Sequence, residues 1–428
     1  MISLKKSNNI FNRYKKYILK VTPFRRPILK EGEGSFFRDI DGNTYLDMMA
    51  GQFCAVTGNK DEYLNKLINN QINKIIHTNT LFLTEEVLKA AKELASITAG
   101  NLNKVIFLST GSEAVECALR YAKFYKKKYE IVGIGAGYHG LTLAAQSVST
   151  NGVWATPKVK GSNSIQTPDW IHSDQKMPQK KYIKYCLEKT RKQLLKKKGR
   201  IAAFILEPII SVGGMIYPPK EYFKGLKEIA NEHDAILIFD ECQTGLGRTG
   251  KWFAYEHYDI TPDILVFAKG AGLGFPVSGI VVSDDIAKTV ENNFIHFSSH
   301  QNDPISAVIL EYIIKLIKKK NLLEQINIRG EYFLNKLKKL SLKESLLLNP
   351  RGMGLMIGFD LPEIDYPKRK LGLELMDIME KNGVIIQAIR QGRTVRLLPN
   401  YLISERDIDY FILKLKESFK ELRKNYNV

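Results

Sequence analysis

No stretch of these 428 residues approaches the ~18 consecutive apolar residues that a membrane-crossing helix needs. The first 30 residues also lack the apolar run of a secretory signal, so the expectation is a cytoplasmic protein with no membrane span. Cysteine is scarce and scattered. Cys54, Cys117, Cys186 and Cys242 form no CxxC pair, which argues against a zinc finger or a disulfide framework and for a reducing compartment. Acids are in deficit, 45 Asp and Glu against 64 Lys and Arg, giving a net charge of +19. Such a charge suits a nucleic-acid or anionic-membrane partner. The lysines, however, fall in amphipathic stretches such as Lys184 to Arg200, Lys315 to Lys320 and Lys414 to Lys424, and no RNP, zinc-finger or helix-turn-helix signature accompanies them. They read as solvated helix faces, with no nucleic-acid and no membrane partner expected.

What the chain does have is an ordinary 44% of hydrophobic and 25% of charged residues, enough for a large core. Between Val105 and Ser283 short apolar runs alternate with helical patterns: "VIFLS", "EIVGIG", "AAFILEP", "AILIFD", "ILVFAK" and "SGIVVS". That alternation predicts an α/β fold built on a mostly parallel sheet. Asp41-Gly42 predicts a hairpin turn, and Ser404 with Asp407 predicts a capping box opening the last helix. The expected organisation is an N-terminal segment, 1–60, joining a small domain, a large domain at 61–304, and a C-terminal small domain at 305–428.

Two charges stand out against these apolar strands. Lys269 follows "ILVFA" and Asp240 closes "AILIFD", so both are aimed at the carboxyl edge of the sheet, where ligands of open α/β folds bind. A buried ion pair is the plainer reading of those two alone. "VIFLSTGSEAVECALRYAK" adds a strand, a small-residue turn at Gly111 and Ser112, and a helix whose N-terminus suits a phosphate; a simple helix cap would explain it as well. It is not a Walker A loop, since the lysine of that motif is missing. Gly245, Gly247 and Gly250 match GxGxxG but lead into "KWFAYEHY" rather than an evident helix, which argues against a dinucleotide site. A phosphate cradle, a carboxylate and a lysine together are what pyridoxal phosphate requires: an anchor, a partner for the ring nitrogen and an amine for the aldehyde.

The stretch "LIFDECQTGLGRTGKWFAYEHYDITPDILVFAKGAGLGFPVSGIVVS" closely resembles the signature of the class III, ω-transaminase-like aminotransferases, fold-type I pyridoxal phosphate enzymes. "STGSEAVECALRYAK", "YHG", "EP" and "VRLLPNYLIS" match the same family in order, from about Glu31 onward. The resemblance implies a seven-stranded large domain, a homodimer or tetramer, and small-molecule substrates: an amino donor and a 2-oxo acid acceptor such as pyruvate. It implies Lys269 as the lysine that bonds the cofactor aldehyde, Asp240 as partner of the ring nitrogen and Gln243 as partner of the ring hydroxyl. Gly111 and Ser112 would hold the phosphate, with Ser299 reaching in from a neighbouring subunit. Tyr138 would stack on the ring, with His139 and Glu207 in the same site. Arg396 would clamp the substrate carboxylate, with Arg390 and Arg393 as rivals.

Within the family, "GQFCAV", "KYEIVG", "HGLTLAAQS" and "SHQNDPISAV" are similar to segments of the 2,2-dialkylglycine decarboxylases. That likeness implies a decarboxylating transamination in which Gln52 hydrogen-bonds the departing carboxylate. It also implies an alkali ion, K+ or Na+, at Thr80, Ser299 and Asp303. Val212 stands where transaminases of ornithine, acetylornithine and 4-aminobutyrate usually carry a glutamate, which counts against those substrates. A transaminase of ω-amino acids or amines without decarboxylation is the alternative reading.

Overall fold

Five of the apolar runs become strands in which every residue is buried: Glu130–Ile134, Ile201–Leu206, Ile236–Asp240, Ile264–Phe267 and Ser278–Ser283. Strands buried on both faces read as continuous apolar runs rather than alternating ones, and each large side chain removed from water contributes about 1.5–3 kcal/mol. With Leu102–Leu108 and Ser162–Ile165 they complete a seven-stranded sheet. Its order is Leu102–Leu108, Ser278–Ser283, Ile264–Phe267, Ile236–Asp240, Ile201–Leu206, Glu130–Ile134, Ser162–Ile165. Ser278–Ser283 runs antiparallel to both neighbours, and the other pairings are parallel. The carboxyl ends of the strands bearing Asp240 and preceding Lys269 therefore lie side by side, with Asp240 paired to Val266. Against the sheet lies the helix Gly111–Lys126, which buries Ala114, Val115, Cys117, Ala118, Leu119 and Ala122. The small side chains among them let it sit close to the strands.

This computed structural model describes residues 3–149, 157–174, 177–363 and 370–426. It divides into a unit of residues 63–326, which holds the seven-stranded sheet, and a unit of residues 1–62 with 327–428. Both chain ends thus join in one unit, and the division falls at 326/327, not at 304/305. The helix Pro304–Lys319 explains the difference: its apolar face buries Ile309, Leu310, Ile313, Ile314 and Ile317, and it belongs with the helix Glu85–Ala95.

The unit of chain ends contains two four-stranded sheets. One orders Leu29–Glu33, Phe36–Asp39, Thr44–Asp47 and Val384–Ile385; the other orders Leu348–Met353, Met356–Asp360, Thr394–Leu397 and Gln387–Ile389. The hairpin at Asp41-Gly42 is present, with Gly42 at φ +92° and Arg38 opposite Thr44. So is the capping box: Asp407 N donates to Ser404 Oγ at 3.1 Å, and Ser404 N donates to Asp407 Oδ2 at 3.1 Å.

Candidate active site

Asp240 ends its strand with only 5% of its surface exposed. A carboxylate so placed needs hydrogen bonds, and it has them. His139 Nδ1 donates to Asp240 Oδ2 at 2.8 Å, and Cys242 N donates to Oδ1 at 3.1 Å. Burial alone would raise the Asp240 carboxyl; the His139 hydrogen bond and charge, with the Lys269 charge adding, outweigh it and leave the group below its ordinary value. A neighbouring carboxylate has the opposite fate. Burial pushes Glu207 up to about 7, with the His139 charge opposing and the Asp240 charge adding. Glu207 Oε2 accepts from Tyr138 N at 2.9 Å, and Oε1 accepts from Gln243 Nε2 at 3.3 Å.

Lys269 opens a single 3-10 turn, Lys269–Gly272, just beyond the strand Ile264–Phe267. Its φ of +51° lies in the left-handed region, a conformation an L residue adopts at a cost of about 1–2 kcal/mol and one that gathers at functional positions.

The anion end of the site is the N-terminus of helix Gly111–Lys126. Thr110 caps it, accepting from Glu113 N at 3.3 Å, and the helical ladder begins with Ala114 N to Thr110 O. The amides of Gly111 and Ser112 are left without an intrahelical acceptor. A Cβ on Gly111 would stand 3.1 Å from Cys242 Sγ and 3.3 Å from Ala268 Cβ, so glycine lets the turn approach the strand ends. Gly140, at φ +116°, brings the loop after His139 onto the same turn, where a Cβ would fall 2.2 Å from Ser112 Oγ. Leu141 N donates to Ser112 Oγ at 3.3 Å.

One residue region hosts Asp240, His139, Glu207, Gln243, Tyr138, Gly111 and Ser112, linked by the contacts just given, and Lys269, just past the neighbouring strand, acts on Asp240 through its charge. Tyr138 is half-buried. Ser299 is exposed in a turn. Thr80 Oγ1 is buried without a partner, whereas both carboxylate oxygens of Asp303 are taken, by His77 Nδ1 at 2.5 Å and His300 Nδ1 at 2.8 Å.

A second constellation lies in the unit of chain ends. Arg396, on Thr394–Leu397 and 5% exposed, donates from Nε to Gln387 Oε1 at 2.8 Å and from Nη2 to Gln52 Oε1 at 3.4 Å. Its guanidinium sits 4.9 Å from the centroid of the Phe53 ring. Of its rivals, Arg393 is ion-paired with Glu363. Gln52 belongs to a run of four residues in the left-handed region, Ala50, Gly51, Gln52 and Phe53, at φ +44°, +54°, +65° and +73°. The buried Asp47 holds that run: Oδ1 accepts from Met49 N at 2.8 Å and Oδ2 from Gly51 N at 2.9 Å.

Asp47, Gln387 and Phe53 have no place in the sequence reading, nor does Glu241. Buried to 1% exposure, Glu241 accepts from Thr244 Oγ1 at 2.6 Å, Ala254 N at 2.8 Å and Tyr255 N at 2.7 Å, and so fixes the glycine-rich loop. In that loop Gly247 N donates to Trp252 O, and the element that follows is the 3-10 turn Ala254–His257. The one signal for Glu241 was a second acid directly after a strand-end aspartate.

The residues fit pyridoxal phosphate on an observation independent of the motif: His139 Nε2 and Gln243 Oε1 are buried polar atoms with no hydrogen-bond partner among the described residues. Orphans of this kind cost about 1–3 kcal/mol each unless a bound group satisfies them.

Residues 20–419 match the family model described as "Aminotransferase class-III". The chain is 32% identical over 420 residues to an acetylornithine aminotransferase of Methanocaldococcus jannaschii, covering 96% of this chain and 98% of that one. It is 30% identical over 395 residues to a putrescine aminotransferase of Pectobacterium atrosepticum, covering 90% and 80%. Among solved structures, a transaminase from the marine bacterium Virgibacillus superposes with a TM-score of 0.89 at 25% identity, over 97% of this chain and 99% of that one. These relatives are named as transaminases; decarboxylation gains no support from them.

Proposed function

We propose that this chain, which belongs to the class III aminotransferases, moves the amino group of a carboxylate-bearing amino donor to a 2-oxo acid. Enzymes of this family use pyridoxal phosphate, which when bound supplies an aldehyde for the amino donor and a ring that takes up electrons released at the substrate's Cα. The amides of Gly111 and Ser112 would hold its phosphate at the positive end of their helix. Asp240, kept ionised, would hold a proton on the ring nitrogen. Gln243 Oε1 would accept from the ring hydroxyl, and Tyr138 would supply an aromatic face for the ring. Lys269 Nζ would be the amine that holds the cofactor's aldehyde, and once freed by the amino donor it would serve as the base for the proton at the substrate's Cα.

The observation that carries the substrate class is Arg396, whose guanidinium is braced by two neutral amide oxygens and an aromatic ring. Such bracing positions the fork for a carboxylate while leaving its charge intact. Mixing the holoenzyme with single amino donors and following the visible band tests this. α-Amino acids should discharge the band, and amines lacking a carboxylate should do so far more slowly; equal rates with both would overturn the assignment.

A second reading, decarboxylation of a 2,2-dialkylglycine-like substrate, is favoured by one contact, Gln52 beside Arg396. Incubation with 2-aminoisobutyrate and pyruvate decides it, since only that reading yields both CO2 and alanine.

We also propose a homodimer. Leu81, Phe82, Leu83, Phe294 and Phe297 are 73%, 69%, 56%, 81% and 61% exposed, an apolar cost that a second subunit would relieve. Light scattering would report twice the mass of one chain. The alkali ion expected at Thr80, Ser299 and Asp303 gains no support from the geometry, in which the Asp303 oxygens accept from two imidazole nitrogens.

A further inference from the structure

We propose that His77, His300 and Asp303 form a binding site for one divalent transition-metal cation of the zinc class. The chain has only 7 histidines, and two of them converge on one carboxylate. Their rings lie 4.9 Å apart at 46°, and one ligand atom from each of the three residues falls within 4.8 Å of the others. Two imidazole nitrogens and a carboxylate oxygen are donors of borderline softness, suited to zinc and its neighbours and poorly suited to an alkali ion.

The geometry needs little change. In a tetrahedral site with bonds of about 2.0–2.2 Å, neighbouring ligand atoms sit roughly 3.3 Å apart. The Nδ1 to Oδ distances of 2.5 and 2.8 Å are shorter because a proton occupies each gap. A cation entering between them replaces those protons, each ring moving its Nδ1 proton to Nε2 or losing it to solvent, so that a neutral imidazole becomes the ligand. Water would complete the coordination, and the side chains of His77 and His300 are 41% and 64% exposed in the single chain.

Asp303 is the fixed member. It is the N-cap residue of Pro304–Lys319, a helix anchored by its buried isoleucines, and its side chain is only 16% exposed. His77 comes from the segment between the helices Glu62–Lys74 and Glu85–Ala95. A bound ion therefore ties that segment to the loop ahead of Pro304. Asp303 is shared with the alkali site implied by the sequence resemblance, but both nitrogen donors are different.

The test uses full-length holoenzyme without a polyhistidine tag, stripped with a chelator and returned to a potassium buffer. Titration with Zn2+ should show one equivalent bound per chain and a rise in melting temperature. His77→Gln and His300→Gln, whose side chains are 41% and 64% exposed in the single chain, should each weaken zinc binding at least about tenfold and abolish the thermal shift. Their melting temperatures in chelator should match the parent's, which separates loss of a ligand from loss of fold. Co2+ in place of Zn2+ should give the visible bands of a tetrahedral nitrogen and oxygen site. Absence of stoichiometric uptake would overturn the proposal, leaving the three residues as a hydrogen-bonded cluster. So would uptake unchanged in both histidine variants, or zinc displaced by an equal concentration of potassium.

Discussion

His139 and Asp240, 101 positions apart in sequence, meet in the interior with Nδ1 2.8 Å from Oδ2 and side chains 0% and 4% exposed. The pair keeps an aspartate ionised where burial alone would protonate it. That ionised state is what the ring nitrogen of the cofactor would need under the proposed function, with the two residues acting as one device.

Asp240→Asn should keep the fold and lose the charge. Removing one preorganised electrostatic partner from a dry site costs about 10²–10³ in rate, and kcat should fall by that order with substrate KM little changed. Lys269→Ala should abolish the visible band of the lysine-bound cofactor altogether, while the protein still melts cooperatively. Persistence of that band in Lys269→Ala would exclude Lys269 as its origin.

Arg396 should tolerate lysine badly, because a point charge cannot reproduce a planar fork seated on Phe53 and Gln387. Loss of a charged hydrogen bond costs about 1.5–3 kcal/mol, so Arg396→Lys should raise KM for the carboxylate substrate roughly 10- to 100-fold, with a smaller change in kcat. Gln387→Ala should raise it less. If the two residues act together, the double variant will cost less than the sum of the singles. An unchanged KM in Arg396→Lys would return the role to Arg390.

Asp47→Ala tests the left-handed run that carries Gln52. The substitution removes the acceptor of the Gly51 amide and strands the buried amide of Met49, the latter at about 1–3 kcal/mol. Four consecutive residues at positive φ then lose what holds them. Melting temperature should fall, and KM should rise along with it as Gln52 and Phe53 leave Arg396. A drop in melting temperature with KM unaltered would mean that the run is structural only.

The edge of the sheet could be read in the sequence because burial on both faces forces unbroken apolar runs, which makes Asp240 and Lys269 conspicuous where they stop. The capping box at Ser404 and the turn at Asp41-Gly42 were legible for a similar reason: local hydrogen bonds and positive φ select few residue types. What could not be read depends on distance or register. Gln387 faces Arg396 only through the pairing of two antiparallel strands. Nothing local announces that a histidine at 77 and another at 300 will share Asp303. Ala50 and Phe53 are poor candidates for positive φ, so the strained run had no signal at all. The helix Pro304–Lys319 was placed with the C-terminal part because its apolar face does not say which element covers it.

Glu207 makes stability depend on pH in a direction opposite to that of Asp240. Its carboxyl is raised from 4.5 to about 7 by burial, so the folded protein binds the proton more tightly than the unfolded chain does. Stability from this group is fully present below about pH 4.5 and is lost as pH rises through about 7, by an amount on the order of 3 kcal/mol. Asp240, held below its ordinary value, contributes stability that is present above the unfolded value and is lost only as pH falls through its lowered one. Denaturant melts of the wild type should therefore lose stability between about pH 4.5 and 7. Glu207→Gln, uncharged throughout, should show a shallower decline, the remainder coming from Glu241, which burial also raises to about 7; the variant starts less stable, since an amide cannot accept from both Tyr138 N and Gln243 Nε2 as the carboxylate does. Parallel pH profiles for the two proteins would show that Glu207 titrates as it does in the unfolded chain, and the two accepted hydrogen bonds would then have to outweigh its burial.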